Sequence, residues 1–170
     1  MLKGQDVVVL LELASSETRW TVRSLAEKLH YDVAGVQRAT GRLDQAGLYD
    51  ARRRRVNGSR AEEFLRHSVQ YLFPARPSEE SRGIPTAWAA APLASHIAAP
   101  SELPPIWPDA RGEVRGLALE PLHRCVPAAA QNDPRLWELL ALVDALRIGD
   151  ARIRGVAAQL LSSRIGKFDA

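Results

Sequence analysis

Residues 20–49 read WTVRSLAEKLHYDVAGVQRATGRLDQAGLY. Val22, Leu25, Ala26 and Leu29 recur at helical spacing, and Thr21 stands where a hydroxyl caps free amides, so a short amphipathic helix is expected over residues 22–29. His30, Tyr31 and Asp32 then break the pattern. A second helix is expected over residues 33–46, with Asp32 as its cap, Gly47 as its left-handed terminator, and Val36, Thr40 and Leu43 facing inward. Gly41 lies inside this helix, where it costs about 1 kcal/mol relative to alanine. Two helices separated by a three-residue break are expected at the centre of the N-terminal part.

Upstream, residues 5–14 place Val7, Leu10, Leu11 and Ala14 at helical spacing, although the Val7-Val8-Val9 run also fits a buried strand. Downstream, Leu48-Tyr49-Asp50, an arginine run and Val56-Asn57 read as a short two-stranded wing with a basic tip, closed by a helix over residues 60–72. Residues 74–108 hold eight of the eleven prolines. Each proline lacks an amide donor and restricts its predecessor, so an irregular connector is expected, held to the core by Ile84, Trp88, Leu93, Ile97, Ile106 and Trp107. Beyond it the pattern gives a strand over residues 113–119 and a short helix over 121–131. Asp133-Pro134 opens a helix running to Arg147, and Gly149-Asp150 turns the chain into a last helix whose stripe is Ile153, Val156, Ala157, Leu160 and Leu161.

These elements give a mainly α fold with a small β wing, divided into an N-terminal unit of residues 1–73, a Pro-rich connector of 74–110 packed on the core, and a C-terminal helical region of 111–170. The composition, 46% apolar and 25% charged, is that of a globular protein rather than a disordered one. A single cysteine, Cys125, excludes an internal disulfide and any paired-cysteine metal or redox motif. No segment reaches the roughly 18 uninterrupted apolar residues of a membrane span. The chain is therefore expected to be cytoplasmic, with no membrane association.

Charge is unevenly placed. Residues 1–70 carry 12 Lys/Arg against 9 Asp/Glu, whereas residues 71–170 carry 11 of each, so the whole excess of +3 lies in the first part. Within residues 19–60 the count is 10 basic against 4 acidic, the local balance of a surface that meets a polyanion.

Ser24-Leu25-Ala26-Glu27, with Leu29, then Val36, Arg38 and Leu43, then Ala46-Gly47-Leu48, resembles the winged helix-turn-helix of bacterial regulators of the broad MarR type. The resemblance covers residues 1–72. It implies that the chain binds double-stranded DNA as a homodimer and acts as a transcriptional regulator, a repressor or autoregulator, with the helix over 33–46 in the major groove. In that arrangement Val33, Ala34, Gly35, Gln37 and Arg38 lie at the groove floor, Gln37 suited to adenine and Arg38 to guanine. Trp20, Thr21, Arg23, Ser24 and Arg42 would take the phosphate backbone, and Arg52, Arg53, Arg54 and Arg55 the minor groove or its edges.

A second reading is a protein-interaction module, antitoxin-like or a defence-system partner, that meets another protein through its C-terminal half and binds its own operator. Catalysis needs a converging nucleophile, base and stabiliser. His123 and Cys125 are the one tempting pair, sharing a face on a strand and diverging on a helix, and a lone cysteine is more often a small packed residue. No phosphate-binding loop or nucleophile elbow occurs, so neither enzymatic activity, a metal nor a cofactor is expected.

Overall fold

The computed structural model describes residues 1–98 and 103–165. Every residue from Asp6 to Ser15 is buried, so the first helix, α1 (Gly4–Ser15), is covered on all sides. A helix apolar around its whole circumference belongs inside a core. Here the helix Val33–Gln45 lies against α1 from one part of the molecule and the helix Pro134–Ile148 from another, which resolves the Val7-Val8-Val9 run as helix.

The next two helices form where their caps predict. In α2 (Val22–Lys28) the Thr21 hydroxyl accepts from Ser24 N at 3.0 Å while Thr21 N donates to Ser24 Oγ at 2.8 Å, a reciprocal cap that satisfies two free amides. Asp32 Oδ1 accepts from Gly35 N at 2.6 Å to open α3 (Val33–Gln45). Gly47, at φ 72°, closes it, and Leu48 N–H reaches back to the Leu43 carbonyl at 3.0 Å. The buried side of α3 is Val36, Ala39 and Leu43. Thr40, expected inward, is only half-buried and donates to the Gln37 carbonyl at 2.9 Å; the methyl of Ala39 takes the inward place, where α3 meets α1.

A small antiparallel pair follows, β1 (Tyr49–Asp50) and β2 (Arg55–Val56), with Tyr49 opposite Val56. Asp50 Oδ1 accepts from the amides of Arg52 and Arg53, both at 2.9 Å, and so shapes the connecting turn. The single helix expected over 60–72 is two, α4 (Gly58–His67) and α5 (Val69–Leu72), broken at Ser68. The break lets each piece serve a different neighbour: α4 packs on the helix Ala151–Ile165, and α5 on the helix Pro134–Ile148.

The Pro-rich stretch is not an irregular connector. It contains β3 (Glu80–Pro85) and β4 (Pro105–Pro108), which join β5 (Val114–Ala118) in a three-stranded sheet. Each strand pairs with both others, β3 antiparallel to β4 and β5, and β4 parallel to β5. Pro85 ends β3, and Pro105 and Pro108 are the two ends of β4, positions where a missing donor is tolerated. The tight closure needs glycine: a Cβ at Gly83 would lie 1.9 Å from the Trp107 carbonyl oxygen, and one at Gly116 would lie 2.1 Å from that of Pro104. Two short 3-10 turns, Ala87–Ala89 and Leu93–Ser95, join β3 to the chain that leads to β4.

The helix expected over 121–131 is α6 (Val126–Asn132), starting later because Pro127 belongs in a first turn. Asp133 caps α7 (Pro134–Ile148), which is buried continuously from Leu139 to Leu146, and α8 (Ala151–Ile165) returns along it. Sheet and helices are tied by a buried polar cluster. Asp144 Oδ2 accepts from Thr86 Oγ1 and Trp107 Nε1, both at 2.7 Å, and its Oδ1 accepts from Arg147 Nη1 at 2.7 Å. Burial pushes the Asp144 carboxyl up, against the pull of Arg147 and the two neutral donors. One apolar cluster extends from Val7 of α1 to Ile165 of α8, with no gap at residue 73. No helix among the described residues is long and apolar enough to cross a membrane.

Candidate nucleic-acid interface

Because α3 buries Val36, Ala39 and Leu43, its opposite side is left in water. That side carries Val33, Ala34, Gln37, Arg38 and Gly41, all exposed. Arg38 is 64% exposed, and its nearest carboxylate oxygen, Asp32 Oδ1, is 3.8 Å away, a loose surface pair that leaves the guanidinium available. Nothing lies within 4 Å of where a Cβ would stand at Gly41. Gly35 differs from the other expected base-reading positions. It is buried beneath Tyr31, whose Cζ would be 2.4 Å from an added Cβ, so its missing side chain serves close packing and it presents no group outward.

Arg42 is also turned away. Its Nε donates to Asp6 Oδ2 at 2.8 Å and its Nη2 to Asp6 Oδ1 at 2.6 Å, leaving the side chain 21% exposed over a fully buried carboxylate. The hydrogen bonds to Asp6 outweigh burial and hold the guanidinium above its usual range. A buried carboxylate needs such a partner, and no spacing rule in the sequence pairs residues 36 positions apart. Arg42 is therefore committed within the fold, not to the phosphate contact expected of it.

Ahead of α2, Thr21, Arg23 and Ser24 are exposed, the two hydroxyls being used in the reciprocal cap. Trp20 is half-buried and joins this segment to the β1–β2 turn. The Arg54 guanidinium lies 4.6 Å above the centroid of its ring, Arg54 Nη2 donates to the Trp20 carbonyl, and the ring lies 6.2 Å from that of Tyr49. Arg54 adopts φ 54°, uncommon for a side chain of that size and fixed here by those contacts. Arg52, Arg53 and Arg55 are exposed around the same turn. The amide of Arg53, followed by that of Arg52 and the charges of both, holds the Asp50 carboxyl below the usual carboxylate range despite some desolvation.

No local pattern marks how the turn between α2 and α3 is held. His30, at φ 51°, receives a hydrogen bond at its Nε2 from Asn132 Nδ2 at 2.6 Å. The ring of Tyr31 meets that of His123 edge-on at 4.7 Å. Lys28 Nζ is 2.9 Å from Asp133 Oδ2 and also pairs with buried Glu12. Burial works to lower the Lys28 ammonium, but the two carboxylates outweigh it and hold it above its usual range. The carboxyl of Glu12 is pushed up by burial, more than Lys28 pulls it down. Two of these contacts, His30–Asn132 and Lys28–Asp133, clamp the turn to the α6–α7 junction, and Tyr31–His123 holds it to the segment ahead of α6. The only sequence signal for them was polar residues, Asn132 and Asp133, at a helix start.

Cys125 is buried, and burial pushes its thiol up to about 11, the opposite direction from an activated thiolate. Its amide donates to His123 Nδ1 at 3.3 Å, and burial, with Arg124 adding, lowers the imidazole against the pull of Asp32. Among the described residues no group of three His, Cys, Asp or Glu is placed to hold a metal ion.

No family model, curated protein or solved structure matches this chain significantly. The candidate interface consists of a helix with an open polar-apolar face, two basic segments beside it, and contacts that hold its starting turn.

Proposed function

We propose that this chain is a sequence-specific, double-stranded DNA-binding transcriptional regulator of the winged helix-turn-helix kind, acting as a homodimeric repressor or autoregulator. The observation that carries the reading is the outward face of α3, with Gln37 and Arg38 exposed over a buried Val36-Ala39-Leu43 side, directly after a capped α2 and a short turn. A B-form major groove admits one such helix, and amide and guanidinium groups match adenine and guanine edges there. Exposed Arg19, Arg23, Arg52 and Arg53 supply positive charge for phosphates on either side of it. In this reading β1–β2 is the wing, Trp20 and Arg54 brace it, and the resemblance of residues 24–48 to MarR-type regulators agrees with the placement.

Selection of binding sites from random duplex DNA, followed by anisotropy titration over a range of salt, tests the proposal. The expected result is a palindromic site bound in a salt-sensitive way, with Arg38→Ala relaxing preference at one position and costing about 1–3 kcal/mol. Absence of salt-sensitive binding to any duplex would refute it. The second reading, a protein-interaction module, is favoured by the adjacent exposed apolar residues Tyr71 and Leu72, and co-purification lost in a Tyr71→Ser/Leu72→Ser variant would support that role instead.

A further inference from the structure

The outward face of α3 is unusual in its balance of groups. Arg38 is its single basic side chain, because Arg42 is withdrawn onto Asp6, and its one carboxylate, Asp44 in the last turn, accepts from the Ala51 amide at 2.8 Å. Its first residue, Val33, is a branched apolar side chain left 47% exposed, with the methyl of Ala34 beside it. Among the described residues five large apolar side chains are exposed, and Val33 is the one that falls within the basic stretch 19–60. Gln37 follows one turn along the same face, and then Gly41 leaves the helix surface bare.

A lone exposed valine on a neutral surface would call for no explanation. Beside an amide and a guanidinium, on the side of a helix flanked by arginines, it has a specific chemical complement. The major-groove edge of DNA carries one apolar group, the C5-methyl of thymine, which aliphatic side chains recognise by contact. We infer that Val33 is a specificity-determining residue that reads a thymine methyl. This rests on the duplex-binding reading above and assigns that site a substrate class: operators with a thymine at a fixed place in each half-site. Val33 and Gln37, four residues apart, are separated by about 6 Å along the helix axis. That distance spans about two base pairs at 3.4 Å each, so the thymine falls within about two base pairs of the position that Gln37 meets. Arg19, Arg23, Arg52 and Arg53 then supply affinity without sequence preference, and the apolar end of α3 supplies discrimination.

Replacing thymine by deoxyuridine removes the methyl and nothing else. The full-length protein is titrated with its selected duplex, and with duplexes carrying deoxyuridine at each thymine in turn. Binding is expected to weaken about fourfold at one thymine position per half-site, the value of one buried methyl-sized group. Val33→Ala, at an exposed first-turn position where alanine is compatible with the helix, is expected to bind the thymine duplex more weakly and to lose most of the deoxyuridine penalty. Specific binding with no deoxyuridine effect at any position, or a full penalty retained in Val33→Ala, overturns this inference alone. Failure to bind any duplex in a salt-sensitive way overturns the duplex-binding reading, and the inference with it.

Discussion

Arg42 of the third helix and Asp6 of the first are joined by two parallel hydrogen bonds, 2.8 and 2.6 Å long, across the contact between those helices. Asp6 Oδ2 also receives the Lys3 amide at 2.8 Å, so one buried carboxylate closes the start of α1 and fixes the rotation of α3. Paired charges of this kind specify an arrangement more than they add stability, but removing one partner strands the other.

Arg42→Met is accordingly expected to lose about 3 kcal/mol in urea unfolding, because it leaves the buried Asp6 carboxyl without its partner. The slope of log affinity against log salt for duplex binding is expected to stay at its wild-type value. A slope reduced by about 0.9 with unchanged stability would place Arg42 on a phosphate instead.

Gly41→Ala is expected to raise stability by about 1 kcal/mol, since a Cβ there meets nothing and alanine is the better helix former. For a chain of this length that corresponds to a rise of about 2–4 °C in Tm by calorimetry. A lowered Tm would mean that the helix is bent at this residue.

Asp144→Ala is expected to be among the most damaging single changes, costing about 3–5 kcal/mol, because Thr86 and Trp107 lose their side-chain acceptor inside the core and Arg147 keeps only the Phe73 and Glu120 carbonyls in place of a carboxylate. Unfolding monitored by tryptophan emission measures it. A loss under about 1 kcal/mol would show that the cluster rearranges around the gap.

Cys125 gives a pH dependence with a definite sign. Its folded-state value, about 11, lies above its ordinary value of 9.0, so the native state keeps a proton that the unfolded chain gives up. The associated stability is complete below pH 9 and declines as pH rises toward 11. Urea midpoints measured across that window should fall more steeply for the wild type than for Cys125→Ala. Alkylation of the native thiol should be slow at pH 8 and become fast on unfolding. Equal slopes would contradict the burial-driven shift.

The N-terminal helices were readable because short-range signals decide them: Thr21 and Asp32 as caps, Gly47 as terminator, and a stripe of apolar residues between them. Two inward assignments depend on finer detail. Periodicity allows both Ala39 and Thr40 to face in, and packing against α1 selects the alanine. The Pro-rich stretch misled because proline counts against regular structure on average, whereas Pro85, Pro105 and Pro108 stand at strand ends where the penalty is small. Gly83 and Gly116 were the better signal for closely approaching strands. On the candidate interface, the exposed residues of α3 followed from helical spacing, but the withdrawal of Arg42 and the clamp on His30, Tyr31 and Lys28 join residues 36 to about 100 positions apart. Pairings that distant leave no local pattern.

The burial of α1 on every side bears on how such a protein can be divided. One of its flanks belongs to the third helix and another to the seventh, so severing the chain after residue 73 would bare a greasy strip along the element that supports the third helix. Such a fragment should clump rather than work alone. Moving the first three helices into another protein would require carrying the seventh helix, or an equivalent wall, along with them.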